Sequence, residues 1–101
     1  KVDTYDKSEW SALMWAIKNK KYKAAKVLIL HNANINHEDN EGTPLIHYAV
    51  HTKSLKFVKL LINSKVDLKA KDQYGLTPLV YALKNKNKNI VDLIRNAGGE
   101  Y

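Results

Sequence analysis

His47 and His51 are the side chains whose type and spacing come nearest to chemistry. They lie four apart in a segment with helical periodicity, the spacing of a two-histidine metal pair. Tyr48 stands where a zinc-protease motif needs Glu, and no third ligand is near in sequence. His31 and His37 lie in a connection without a ligand pattern. Ser8, Ser11, Ser54 and Ser64 fall at turns and helix starts, where serine is ordinary. No Gly-rich phosphate loop is present, and the carboxylates are few and mostly in turns. These residues predict no metal, no cofactor and no enzyme. Trp15, Tyr48 and Tyr81 form an aromatic series that could stack on bases. Packing between consecutive helices is the preferred reading of that series.

The elements that position these residues are set by a short, basic chain. Its 101 residues suffice for one domain with a modest core. With 45% hydrophobic and 27% charged residues the composition is globular. Cysteine is absent, which excludes a disulfide framework and fits an intracellular, cytoplasmic setting. No apolar run approaches the roughly 20 residues needed to span a bilayer. The chain opens at Lys1 and not at Met, as a segment of a longer protein would, and such a fragment is expected to be monomeric. The net charge is +7, and Arg95 is the one arginine among the cations. Arginine is the usual residue for bidentate phosphate and base recognition, so a lysine surface argues against a nucleic-acid partner.

An internal period dominates the sequence. Asp6, Asp39 and Asp72 are 33 residues apart, as are Ala16, Ala49 and Ala82. The aliphatic sets Leu13, Ile46, Leu79 and Leu28, Leu61, Ile94 keep the same register, and so do Lys20, Lys53 and Lys86. Each unit reads as two short helices. In the third, Thr77 can cap, Pro78 takes the first helical position, and Leu79, Ala82 and Leu83 form an apolar stripe. A Lys/Asn-rich turn leads to a second helix with Ile90, Val91, Leu93 and Ile94. Polar turns with Asp and Gly separate the units, at Asp39-Asn40-Glu41-Gly42 and Asp72-Gln73-Tyr74-Gly75.

Asp72-Gln73-Tyr74-Gly75-Leu76-Thr77-Pro78-Leu79 resembles the opening of an ankyrin repeat, whose turn leads into Thr-Pro-Leu-His. His47 matches the motif's histidine, which implies a structural hydrogen bond to the neighbouring turn. The resemblance implies an all-α ankyrin-repeat solenoid: three helix-turn-helix units joined by β-turn-like loops. Repeats are expected at about 6–38, 39–71 and 72–101, with 1–5 the tail of a preceding unit or a lead-in. Lys20, Lys53 and Lys86 depart from the family, which places Gly between the two helices. Lys88, Asn89, Arg95 and Asn96 make the last unit polar, as a terminal repeat requires.

The resemblance also implies binding of another protein or peptide across the turn tips and the inner-helix surface. Carried over position by position, the turn residues are Lys7, Ser8, Trp10, Asn40, Glu41, Thr43, Gln73, Tyr74 and Leu76. The inner-helix residues are Lys18, Asn19, His51, Thr52, Lys84 and Asn85. An alternative uses the lysines of the second helices and the turns before them as a convex ridge. Such a ridge would dock weakly on an anionic membrane surface or an acidic partner, at about 1 kcal/mol per lysine near such a membrane.

The pattern predicts helices over 11–18, 21–31, 44–51, 54–63, 77–84 and 88–96, and no sheet beyond turn pairings. The predicted core is Leu13, Ala16, Leu28, Ile46, Ala49, Leu60, Leu61, Leu79, Ala82 and Leu93. Thr43 and Pro44 come one residue earlier in the period than Thr77 and Pro78. This predicts Thr43 as an N-cap, Pro44 as a helical residue, and a shortened turn that sets Asn40, Glu41 and Thr43 back from the binding edge.

Overall fold

A computed structural model describes residues 11–101 of the chain. It contains α1 (Ala12–Lys18), α2 (Tyr22–Leu30), α3 (Leu45–His51), α4 (Leu55–Asn63), α5 (Pro78–Lys84) and α6 (Lys88–Asn96). Each expected helix is present, within one residue at either end. Among the described residues Glu38 and Pro44 form an isolated antiparallel bridge.

The helices form two rows. In the inner row α1 packs on α3 and α3 on α5. In the outer row α4 packs on α6, and α2 meets α4 through the Tyr22 and Phe57 rings, 5.5 Å apart. Ala16, Ala49 and Ala82 are buried in the inner row, where a small side chain lets backbones approach. Inner helices contact an adjacent inner helix, α3 one on each side, and the outer row behind, so they bury more than one stripe. Met14, Ile17, Leu45 and Val50 therefore join the core beside Leu13, Ile46 and Leu79. Outer helices have one buried face. It carries Ala25, Phe57, Val58, Leu61, Ile90, Val91 and Ile94. The expected core residues Leu60 and Leu93 share a register at the border of that face and are only partly buried, as is Leu28, whose counterparts Leu61 and Ile94 are buried.

Helix starts and stops follow local chemistry. The Ser11 hydroxyl accepts from the N–H of Met14, Ser54 from Phe57, and Asn87 from Ile90. The inner helices end in a residue with left-handed backbone: Lys20, Lys53 and Lys86, at φ 59°, 59° and 56°. Asn32, Lys65 and Gly98 do the same after the outer helices.

Pro44 corrects the expectation for the middle unit. It is the N-cap of α3, extended at ψ 156°, and the first helical residue is Leu45. Pro44 thus shares a register with the caps Ser11 and Thr77, and Thr43 takes the place of Leu76. The turn keeps its length because its hydrogen bonds dictate it. Asp39 Oδ1 accepts from the N–H groups of Glu41 and Thr43, at 2.9 and 3.0 Å. Asp72 Oδ1 accepts from Tyr74 and Leu76, both at 3.0 Å. The second carboxylate oxygen accepts from the Tyr48 hydroxyl in one unit and from the Tyr81 hydroxyl in the next. Gly42 and Gly75, at φ 81° and 76°, supply the positive φ that closes both turns.

Each Asp–Tyr pair fastens a turn to the inner helix that follows it. Replacing Asp72 with Ala removes the acceptor for three donors and should cost about 2 kcal/mol in urea unfolding. Tyr81→Phe should cost about 1 kcal/mol in the parent chain and almost nothing once Asp72 is Ala. Additive losses would show that the two side chains act separately.

Candidate functional site

The residues that the sequence offers for a partner fall on the inter-unit turns and on the exposed side of the inner helices. The Asp–Tyr pairs hold the turns rigidly. Tyr74 projects from the second turn with 73% of its surface exposed. Asn40, Glu41 and Gln73 are exposed beside it, and Thr43 reaches Gln73 at 3.4 Å. Leu76 is half-buried, since its carbonyl is held from behind by His47. The turn before α3 is not set back. Thr43 simply offers a hydroxyl where the next turn offers an isobutyl group.

Lys18, His51 and Lys84 share a register at the last residue of α1, α3 and α5. Lys18, Lys20, Tyr48, His51 and Thr52 line a recess of about 440 Å³ between α1 and α3. His51 packs edge-on against Tyr81 at 4.9 Å, and Lys84 lies 5.9 Å over the same ring. Asn19, Thr52 and Asn85 are the C-caps of the three helices. The Asn19 amide donates to the Trp15 carbonyl, and the Thr52 hydroxyl to that of Ala49. These three therefore serve the scaffold, whatever else they touch. Lys7, Ser8 and Trp10 lie outside the described residues.

Trp15 is the residue that the sequence reading placed elsewhere. It shares the register of Tyr48 and Tyr81, yet 53% of it is exposed. The tyrosines use their hydroxyls to hold the turn carboxylates, and an indole has no hydroxyl. That difference in side-chain chemistry, at one position of the period, is the signal that was available in the sequence.

His47 is fully buried. Its Nε2 lies 2.8 Å from the Leu76 carbonyl, an acceptor, so Nε2 carries the hydrogen. Nδ1 is then a bare acceptor, buried without a partner among the described residues. The residue three before it, Pro44, has no hydroxyl to offer. Burial lowers the His47 pKa from the ordinary 6.5, against the pull of the Leu76 carbonyl and of Asp72 and Glu38; nearby His51 adds to the lowering. Burial also lowers the pKa of His51, opposed by Asp72. Burial alone would raise the Asp72 pKa, but the hydrogen bonds from Tyr81, Leu76 and Tyr74 and the nearby His47 bring it below 3.8. The Tyr81 hydroxyl, bonded to Asp72, is pushed up to about 12. One ring nitrogen of His47 is thus committed to a carbonyl and the other is sealed in the core, which fits a structural role and not a ligand pair.

A family model described as Ankyrin repeats (3 copies) matches residues 13–101. The chain belongs to the ankyrin-repeat family. Ankyrin repeats are in general protein–protein interaction modules and are typically non-enzymatic scaffolds. No curated protein matches the chain. The three units, their Asp–Tyr turns and the histidine bound to the next turn are the forms that the family takes in this ankyrin chain. Among the described residues, no helix is long and apolar enough to cross a membrane.

The buried histidine makes the ankyrin stack sensitive to acid. The unfolded chain takes up a proton near the ordinary value of 6.5, while the folded His47 resists it. Stability is whole above that pH and is lost as pH falls toward the lowered folded value. His51 contributes in the same direction. Urea midpoints followed from about pH 8 to about pH 5 should fall, and His47→Gln should flatten the slope. An unchanged slope in that variant would assign the acid sensitivity to other groups.

Proposed function

We propose that this ankyrin segment binds a partner protein or peptide across its turn tips and the exposed side of its inner helices. The observation that carries the reading is the pairing of rigid backbone with exposed aromatic surface. Tyr74 stands on a turn fixed by Asp72 and Tyr81, and Trp15 stands on α1 in the inner row. Ordered aromatic side chains lose little conformational entropy on binding and are frequent anchors of interfaces. Around them, Asn40, Glu41, Thr43, Gln73 and Lys84 supply the polar surroundings that give a contact its specificity. Lys7, Ser8 and Trp10 complete the proposed set from the sequence.

A docking ridge along the outer helices has less to support it. Lys56 lies 4.0 Å over the Tyr22 ring, and Lys26 lies 5.8 Å from it on the other helix turn. Lys56 joins α4 to α2 through this ring, and Lys26 covers a ring of its own helix. They are less available to an outside anion than lysines in open solvent.

A photo-crosslinking amino acid placed at position 74 or 15 should capture a partner from extracts of the source cells. The same group at position 59, on the outer helix α4, should capture far less of it. Equal capture from all three positions would overturn the reading.

A further inference from the structure

Acids are unevenly placed across this solenoid, although the connections that hold most of them also hold Lys65, Lys69 and Lys71. Glu38, Asp39, Glu41, Asp67 and Asp72 all lie in the connections between units. The inner helices and the turns that join them to the outer helices contain no acid. Those turns instead hold Lys20, Lys53 and Lys86, each exposed and each left-handed. A lysine in that region is disfavoured relative to glycine, because its Cβ crowds the following carbonyl. The backbone alone does not ask for lysine. The left-handed position after the outer helices is filled by Asn32, Lys65 and Gly98 in turn, and that of the inter-unit turns by Gly42 and Gly75. The position after the outer helices accepts three residue types, and the one after the inner helices has lysine each time.

The three lysines lie beyond Lys18, His51 and Lys84, which share a register at the ends of the same helices and of which the two lysines are cationic. The helix dipole favours a cation in the last turn. Lys20, Lys53 and Lys86 lie beyond that turn. The ion pair found among the described residues, Lys69 with Glu100 at 3.9 Å, involves none of them. Lys20 borders the recess between α1 and α3, whose wall includes Tyr48 and His51.

We propose that this rim, Lys20, Lys53 and Lys86, takes an extended acidic segment of the partner protein. Carboxylates of the segment lie along the lysines, and a side chain of it enters the recess between α1 and α3. The shape favours polypeptide over lipid, because a planar headgroup layer cannot follow the surface into a recess. The inference rests on the protein-interaction reading above and adds the chemistry of the partner.

The probe is a fluorescein-labelled octaglutamate peptide, titrated by anisotropy near 0.1 M ionic strength, where the Debye length is about 10 Å. The triple variant Lys20→Gly, Lys53→Gly, Lys86→Gly should bind it about tenfold more weakly. Its melting temperature should rise, since glycine suits the left-handed position. The corresponding Asn triple, also tolerated there, should weaken binding to the same degree. A charge-matched triple on the outer helices, Lys23→Gln, Lys26→Gln, Lys59→Gln, should change affinity by less than about twofold. Equal weakening by the rim and outer-helix triples would overturn the proposal, as would no binding by the parent chain. So would phosphatidylserine vesicles that lose the rim triple while the peptide does not. If crosslinking from positions 74 and 15 persists while the peptide is indifferent to the rim, the acidic segment is wrong and the interaction reading stands. Loss of site-specific crosslinking removes both.

Discussion

No unit of this chain can bury its own apolar surface. An inner helix of seven residues, such as α3, is too short to be stable in water by itself. It gains stability only between two like helices and in front of the outer row. That dependence fixes much else. The 33-residue period must hold, Ala16, Ala49 and Ala82 must stay small, and the turns must deliver each helix at the same height. The Asp39–Tyr48 and Asp72–Tyr81 pairs meet the last requirement by tying a turn to the helix it precedes. His47 ties the same helix forward to the next turn, through the Leu76 carbonyl. Asn36 links the loops further out by accepting from the Asp67 N–H at 2.9 Å. Stability in such a stack is approximately a sum of unit and interface contributions.

The fold was legible because the constraint that makes it is periodic. Once the Asp, Ala and aliphatic registers are aligned, helix number, helix spans and the inner and outer rows follow. Two features were not legible. The position of Leu60 and Leu93 is aliphatic in every unit, but periodicity does not separate the centre of a buried stripe from its border; Leu28 is partly buried although its counterparts Leu61 and Ile94 are buried. Thr43-Pro44 matched the family motif by residue type, one position out of register. Position won over type, because the Asp39 carboxylate sets the length of the turn and leaves Pro44 at the cap. The cost is visible at His47, whose Nδ1 has no hydroxyl three residues before it.

The site was legible in outline only. The sequence located turn tips and inner-helix ends, and the structure shows which of those side chains are already engaged. Asn19 and Thr52 spend hydrogen-bonding groups on helix ends, and Leu76 is half-covered. Tyr74 and Trp15 are not so constrained. Trp15 escaped notice because the alignment with two tyrosines suggested a shared role, which a hydroxyl-free ring cannot fill. Surface positions carry no periodic constraint, so their alignment says little about what they touch.

In the proposed function the turn edge and the inner-helix side meet the partner, and the outer helices serve the stack. Amide hydrogen exchange of the chain, alone and with the protein captured by crosslinking, tests it most directly. Added protection is expected at 40–43, at 73–76 and in the last turns of α1, α3 and α5, with α2, α4 and α6 unchanged. Protection gained mainly along α2, α4 and α6 would contradict it.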